Sequence, residues 1–362
     1  MPAAQPAEVP ASPTPDERPW RARVVPLPAI AYQPETSLQL GVFGYATWRR
    51  PTMPELAPSN NYGGNVLYTL RRQLIFESSG LIILPHWRWE IDNNTVVRDF
   101  PDNYYGIGNR NQGADVEVYD KLEVILENDI RRRFHPQMYV AILQRLAWRR
   151  SEGRTQDSAL DAESPVGLGD DLAIGLGGAF AWDTRDHKID TFRGAFIETQ
   201  VIPTPGFVGS DNPFVRYRLD ARGFFRISRS QRVGIQGVGL FHTGRPGFLN
   251  LALMGGGDLM RGVYLGRYRD RQYLAAQSEW RWTFHRLFGV VAFVSAGAVG
   301  DRPLDLADGP VHVAFGGGLR WLFAAEDRVS MRFDLGLVPR GPHDPGQGLE
   351  SVGFYINMGE AF

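Results

Sequence analysis

The chain has no cysteine in its 362 residues, an absence that excludes disulfide staples, thiolate metal centres and cysteine nucleophiles together. It also has no charge of one dominant sign. With 39 Lys and Arg against 40 Asp and Glu, the formal charge is −1, so no basic field draws nucleic acid to it. No run of about 18 apolar residues occurs, which excludes a membrane-crossing helix. The histidines are His86, His135, His187, His242, His285, His312 and His343, and no pair of them has a metal-ligand spacing. A Gly-x-Ser-x-Gly nucleophile elbow is missing as well. No enzymatic activity, metal or cofactor is expected.

The N-terminal stretch MPAAQPAEVPASPTPDERP has neither the basic start nor the apolar centre of a secretion signal. Its Pro/Ala-rich composition suits the segment that follows a removed signal peptide, with Met1 as an added start. Residues 1–23 are expected to be disordered and 24–362 to form one domain.

From about Leu38 onward the apolar period is two. In KLEVILENDIRRRF, Leu122, Val124, Leu126 and Ile130 share one face, and Lys121, Glu123, Glu127, Asp129, Arg131 and Arg133 share the other. VRYRLDARGFF sets Val215, Tyr217, Leu219 and Phe225 against Arg216, Arg218, Asp220 and Arg222. AAQSEWRWTF and VSMRFDLGLV alternate in the same way. Such segments run to about 10–15 residues, longer than the usual 5 or 6 of a soluble strand and long enough for a tilted strand to cross a bilayer. The pattern predicts an all-β transmembrane antiparallel barrel rather than a soluble sandwich.

The connections sort by length. Short ones fall at Glu77–Gly80, His135–Pro136, Ser228–Gln231, His285–Arg286 and Ala324–Asp327. Long ones fall at Arg50–Asn61, Asn93–Asp115, Ser151–Pro165, Thr243–Arg271, Asp301–Pro310 and Val338–Glu350. Short periplasmic turns and long outer loops are the rule in outer-membrane barrels. The strands so delimited number fourteen. VVPLPAIAY (Val24–Tyr32) is a further candidate, disfavoured by Pro26 and Pro28. Including it requires a second overlooked strand and gives sixteen, so 14–16 strands are expected. Phe362 is expected to end the closing strand.

The stretch GGGDLMRGVYLGRYRDR, Gly255–Arg271, packs five glycines and four arginines into seventeen residues. Together with the following strand, LMGGGDLMRGVYLGRYRDRQYLAAQSEWRW resembles the signature of the BamA/TamA-like outer-membrane proteins, the bacterial surface antigen family. WDTRD (Trp182–Asp186) with FRG (Phe192–Gly194) is similar to that family's periplasmic turn, and FPDNYYGIGN (Phe100–Asn109) to a loop of its short members. The resemblance runs from about Pro28 to Phe362. It implies that the loop carrying Gly255, Gly256, Asp258, Arg261, Gly262 and Tyr264 folds back into the lumen, where Arg261 meets acidic wall residues. Glu279 is the first candidate partner, with Arg281, Ser295 and Asp334 beside it. Ser295 stands where the family has an aspartate, in FVSAG, and Tyr264 lies one residue later than the family's aromatic. Asp183, Arg185, Asp186 and Gly194 form the implied turn. About 36 residues precede the first strand, too few for one of the periplasmic POTRA domains that larger members carry.

The implied function is outer-membrane protein or lipid insertion or translocation, in the outer membrane of a Gram-negative cell. Outer-membrane lipid is then a partner, with client outer-membrane proteins or a separate periplasmic chain as further ones. The alternative is a passive or gated channel plugged by the Arg261 loop, with a structural surface protein or a barrel enzyme behind it. Plainer readings stand beside several features. Gly255–Gly257 has no following helix to complete a phosphate loop. Asp183 and Asp186 suit a turn better than a cation. Trp48, Trp87, Trp89, Trp148, Trp182, Trp280, Trp282 and Trp321 suit interfacial anchors. Arg216, Arg218, Arg222 and Arg226 suit either an anion-selective wall or one cross-braced by Glu127, Asp129, Asp220, Glu279 and Asp334.

Overall fold

The computed structural model describes residues 23–48, 60–84, 88–109, 116–154, 158–188, 190–324, 329–341 and 348–362. Residues 1–22, where disorder is expected, lie outside them. So do most of the connections at Arg50–Asn61 and Ala324–Asp327.

The first strands are β1 (Arg23–Gln33), β2 (Ser37–Trp48), β3 (Asn60–Thr69), β4 (Leu74–Ile83) and β5 (Trp89–Asp99), with the short β6 (Asp102–Tyr104) continuing β5 along the next strand. There follow β7 (Glu117–His135), β8 (Met138–Gly153), β9 (Gly169–Asp183), β10 (Gly194–Thr204), β11 (Phe214–Arg226) and β12 (Gln231–Gly244). The long connection then holds a small hairpin, β13 (Ala252–Met254) with β14 (Tyr268–Asp270). The wall resumes with β15 (Gln272–His285), β16 (Phe288–Gly300), β17 (His312–Ala324), β18 (Val329–Pro339) and β19 (Leu349–Met358). Sixteen wall strands, all antiparallel to their neighbours, close where β1 meets β19.

Sixteen replaces the list of fourteen because two strands escape the sequence reading. β1 is a wall strand despite Pro26 and Pro28, pairing with β2 from Arg23↔Thr47 to Gln33↔Ser37. The second arises because Glu77–Gly80 is not a turn. It lies inside β4, where Ser78 pairs with Thr95 and Gly80 with Asn93. The true reversal is at 70–73, where Arg72 takes a positive φ of 62°. The strict sorting of connections therefore fails in the first third. The β1–β2 and β3–β4 turns are short yet share the end of the long loops, and the 49–59 connection leaves from the end of the short turns.

The two faces of the wall are inside out relative to a soluble protein. Leu274, Val294 and Leu319 are at least half exposed on the outside, while Asp220, Glu279 and Asp334 are fully buried within. That is the arrangement a lipid solvent selects. At the long-loop end, Tyr104, Tyr119, Leu160, Phe248 and Leu251 pack into a roof. Leu160 comes from a one-turn helix, α1 (Ala159–Glu163), capped by Ser158, whose Oγ accepts from the Asp161 N–H at 2.9 Å. No helix among the described residues is long and apolar enough to cross a membrane.

Candidate functional site: an arginine in the lumen and a thin seam

The loop between β12 and β15 turns back into the barrel because its sequence permits a reversal that ordinary residues resist. Gly262 holds φ at 107° immediately after Arg261, a left-handed value that glycine adopts without steric penalty. The Val263 N–H closes the turn on the Met260 carbonyl at 3.0 Å, and the Gly256 N–H reaches the Val263 carbonyl at 3.0 Å. Gly255, at φ 118°, starts the return.

This turn delivers Arg261, fully buried, to the inner wall. Its Nη1 donates to Asp334 of β18 at 2.8 Å. Its Nη2 donates to Glu279 of β15 and to the Gln277 amide oxygen at 3.3 Å. The guanidinium carbon lies 3.6 Å from the ring centre of Phe293 on β16, so the plane stacks on an aromatic face while its edge bonds carboxylates. Each carboxylate is shared: Glu279 also binds Arg281 at 2.7 Å, and Asp334 also binds Arg320 at 2.5 Å. Glu360 completes a ring, 2.9 Å from Arg320 and 3.9 Å from Arg281. Alternation of sign is what lets this much charge be buried, since every carboxylate in the ring touches two cations.

Arg281 thus serves Glu279 and makes no bond to the loop. Ser295 does not substitute for the missing aspartate either; its hydroxyl donates to the Ala314 carbonyl at 3.3 Å, too short a side chain to reach the tip. The second carboxylate at Arg261 comes from Asp334, three strands away. The partners absent from the sequence reading are Gln277, Arg320, Glu360 and Tyr355. For Gln277, Arg320 and Tyr355 the only signal is an inward position in the alternation, shared with many other residues, and Glu360, beyond the end of β19, lacks even that.

Further contacts hold the loop along its length. Asp258 pairs with Arg332, and its carbonyl accepts from Gln277 at 2.9 Å. The Gly262 N–H donates to the Tyr355 hydroxyl at 3.0 Å, and the Ser351 hydroxyl donates to the Gly262 carbonyl at 2.8 Å, both from β19. Tyr264 turns to the other side, donating to Asp102 at 3.0 Å. The Leu265 N–H donates at 2.7 Å to Glu35, which sits in the β1–β2 turn. One loop therefore grips strands on both sides of the closure.

That closure is thin. β1 pairs with β2 over its whole length, but with β19 only at Tyr32↔Ile356 among the described residues. Side chains add a Gln33 amide donating to Asn357 at 3.0 Å and a Tyr32–Phe354 ring contact at 5.7 Å. By contrast, β18 and β19 pair from Met331↔Met358 to Pro339↔Leu349.

At the short-turn end, Arg185 grips Asp183 with Nε and Nη2, both at 2.9 Å, and stacks over Phe196. Asp186 accepts the backbone N–H groups of Phe192 and Arg193 at 3.0 and 3.3 Å. Gly194 is required here: with φ at 114°, a Cβ would lie 2.4 Å from the Thr184 carbonyl oxygen. Phe362 is not in the closing strand. β19 stops at Met358, the chain turns at Gly359 (φ 80°), and Phe362 enters the lumen against Phe224, with Arg281 over its ring and donating to its carbonyl at 3.0 Å.

No curated protein matches the sequence. Among solved structures, BamA from Haemophilus ducreyi lacking POTRA domains 1-3 superposes with a TM-score of 0.61 at 12% identity, covering 93% of this chain and 70% of that one. CdiB from Acinetobacter baumannii gives 0.56 at 11% identity, covering 94% and 66%, and CdiB from Escherichia coli gives 0.58 at 13%, covering 94% and 68%. At such identities the likeness is one of fold, and this chain spans about two thirds of the length of the CdiB chains. The Omp85 superfamily domain is matched over residues 85–362. That span contains the inward loop, its carboxylate partners and the closing strand, and the chain accordingly belongs to the Omp85 superfamily.

Proposed function

We propose that this protein is an integral outer-membrane barrel that assists insertion or translocation of client polypeptides through the junction of β1 and β19. The observation that carries this reading is the imbalance at the closure: a single backbone register pair joins β1 to β19, while the lumen loop holds both flanks through Glu35 and through Tyr355 and Ser351. Strand edges unpaired in a membrane are templates for an incoming strand. A loop bonded to both flanks can set how far they part. Membership in the Omp85 superfamily, and likeness in fold to BamA and CdiB, support the same direction. Client outer-membrane proteins and lipid are the proposed partners, with residues 24–362 as the barrel.

The absence of native cysteine makes the test clean. Cysteines replacing Tyr32 and Ile356, adjacent across the seam, can be oxidised to lock it. The oxidised variant in liposomes should lose acceleration of client barrel insertion and regain it on reduction. Undiminished activity when locked would remove the seam from the mechanism. The channel reading predicts instead that deleting residues 250–270 raises conductance in planar bilayers while the locked seam has no effect.

A further inference from the structure

On a sector of the wall away from the loop tip, one cation is left without a counter-charge. Arg216 of β11 faces the lumen with no hydrogen bond or ion pair to any described residue, and its Nε is buried without a partner. The charges that act on it are Arg218 and Arg149, both cations. Arg145 lies within the field of Arg216, Arg218 and Arg149 in turn. The carboxylates of this sector are already engaged. Glu127 holds Arg145, and Glu123 holds Arg149 at 3.0 Å and Lys121 at 3.5 Å. Asp220 holds Arg218 and Arg222 at 2.7 and 2.8 Å, and Glu198 accepts from Tyr139 and Gln200. Cross-bracing by Asp220 explains Arg218 and Arg222, and Arg226 donates to the Ser228 carbonyl at 3.0 Å, but Arg216 has neither.

Directly across the β11–β12 ladder from Arg216 is His242. It is 2% exposed, and its Nδ1 lies 2.8 Å from the Arg271 carbonyl oxygen. A carbonyl can only accept, so Nδ1 carries the proton and Nε2 presents a lone pair. That Nε2 is buried and has no partner. Cross-strand neighbours are separated by about 5 Å at Cβ. A cation without an anion thus stands beside an acceptor without a donor, a pairing that one ligand can satisfy. It must offer anionic oxygens to a guanidinium and a hydroxyl to an imidazole nitrogen.

We propose that Arg216 and His242 bind a hydrogen phosphate or phosphate monoester group in the lumen, with Arg218, Arg149 and Arg145 supplying the attractive field. Guanidinium pairs with phosphate oxygens by two parallel charge-assisted bonds. The P–OH of the monoanion donates to His242. With no partner to hold it, the Arg216 side chain can rotate to let the ligand reach the imidazole. A phosphate monoester keeps this hydroxyl below its second pKa of about 6, whereas sulfate and phosphate diesters carry none there, so under mildly acidic conditions the site discriminates among oxyanions of similar size. The group is supplied either by a free ester or by the headgroup of a lipid.

The test is calorimetric titration of the intact barrel at about pH 5.5, where the phosphate group is chiefly the monoanion, in a neutral detergent at low ionic strength, with inorganic phosphate, glycerol 3-phosphate, glycerophosphocholine and sulfate. Phosphate and glycerol 3-phosphate should bind, and the diester and sulfate should bind about tenfold or more weaker. Arg216→Gln should weaken phosphate about tenfold or more. His242→Phe should remove the preference for phosphate over sulfate. Arg226→Gln, at the exposed end of the same strand, should change nothing. Tighter binding of lysophosphatidic acid than of glycerol 3-phosphate identifies a lipid headgroup as the source; equal binding identifies a soluble ester. If the variants fail to assemble, the wild-type selectivity decides alone. Equal affinity for phosphate and sulfate, or no binding of either, overturns the proposal.

Discussion

Gly336 of β18 and Arg261 of the lumen loop meet main chain to main chain: a Cβ on Gly336 would lie 2.4 Å from the carbonyl carbon and oxygen of Arg261. It would also fall 2.6 Å from the Gly262 nitrogen. The loop tip is therefore seated on bare wall, and the arginine reaches Asp334 and Glu279 only because no side chain stands beneath its backbone. Gly336→Ala should lift the tip while leaving the ladder of β18 intact, since Gly336 pairs with Gly316 and Gly353 through backbone groups alone. Overpacking of this kind opposes the seated state by about 1–3 kcal/mol. Limited proteolysis should cut within residues 255–271 in the variant and not in the parent, with unchanged heat-modifiable migration of the barrel.

The pairing of Arg261 with Glu279 should behave as a coupled unit. Removing one member of a buried pair commonly costs about 3–5 kcal/mol. Here each carboxylate keeps a second arginine, Arg281 for Glu279 and Arg320 for Asp334, which places Arg261→Ala near the lower end of that range. In a double-mutant cycle read by urea unfolding in bilayers, the Arg261→Ala and Glu279→Ala coupling should exceed about 1 kcal/mol. A coupling near zero would mean that the tip is held by its backbone contacts to Tyr355 and Ser351 instead.

How far the fold is legible in the sequence depends on the stretch. Wherever lipid faces one side, as along β7, β11, β15 and β18, alternation of apolar and charged residues gives the strand and its faces directly. It fails where a wet lumen admits residues that elsewhere mark turns. Ser78 and Ser79 stand mid-strand in β4, and Asn93 in β5 accepts from Tyr62 at 3.0 Å and donates to Asn128 at 2.8 Å. It fails again at β1, where Pro26 and Pro28 count against a strand paired on both edges. β1 tolerates them because its β19 edge is bonded only near Tyr32. For the site, the Arg261 loop and Glu279 lay within reach of a motif. Asp334 is legible too, as the second acidic candidate beside Glu279, but nothing local in EAF marks Glu360 and Phe362 as lumen residues.

Phe362 should matter to the stability of the lumen more than an exposed residue would. It is 8% exposed, its ring centre is 5.8 Å from that of Phe224, and Arg281 stacks over it at 4.7 Å. Phe362→Ala removes the ring and leaves the backbone carbonyl bond to Arg281. The expected loss is on the order of 3 kcal/mol, seen as an earlier urea midpoint. Phe362→Leu, which keeps apolar volume but not the cation–ring contact, should recover most of it. Equal losses for both would assign the effect to the Arg281 stacking.

Glu35 should make the grip of the loop on the first hairpin depend on pH. Burial in the β1–β2 turn raises its carboxyl above the ordinary range, against the lowering effect of the Leu265 N–H that it accepts, and the nearby Asp102 raises it further. A carboxyl raised by folding binds its proton more tightly folded than unfolded. Its contribution to stability is therefore complete below the unfolded pKa and is lost as pH climbs through the raised folded value. Glu35→Gln keeps a carbonyl oxygen for Leu265 and carries no charge to desolvate. In thermal unfolding from pH 4 to 8, the variant should match the parent at the acid end and exceed it increasingly as pH rises. A parent that gains on the variant toward pH 8 would show that the ionised carboxylate, through Leu265 and Arg71, holds the hairpin more strongly than its burial opposes it.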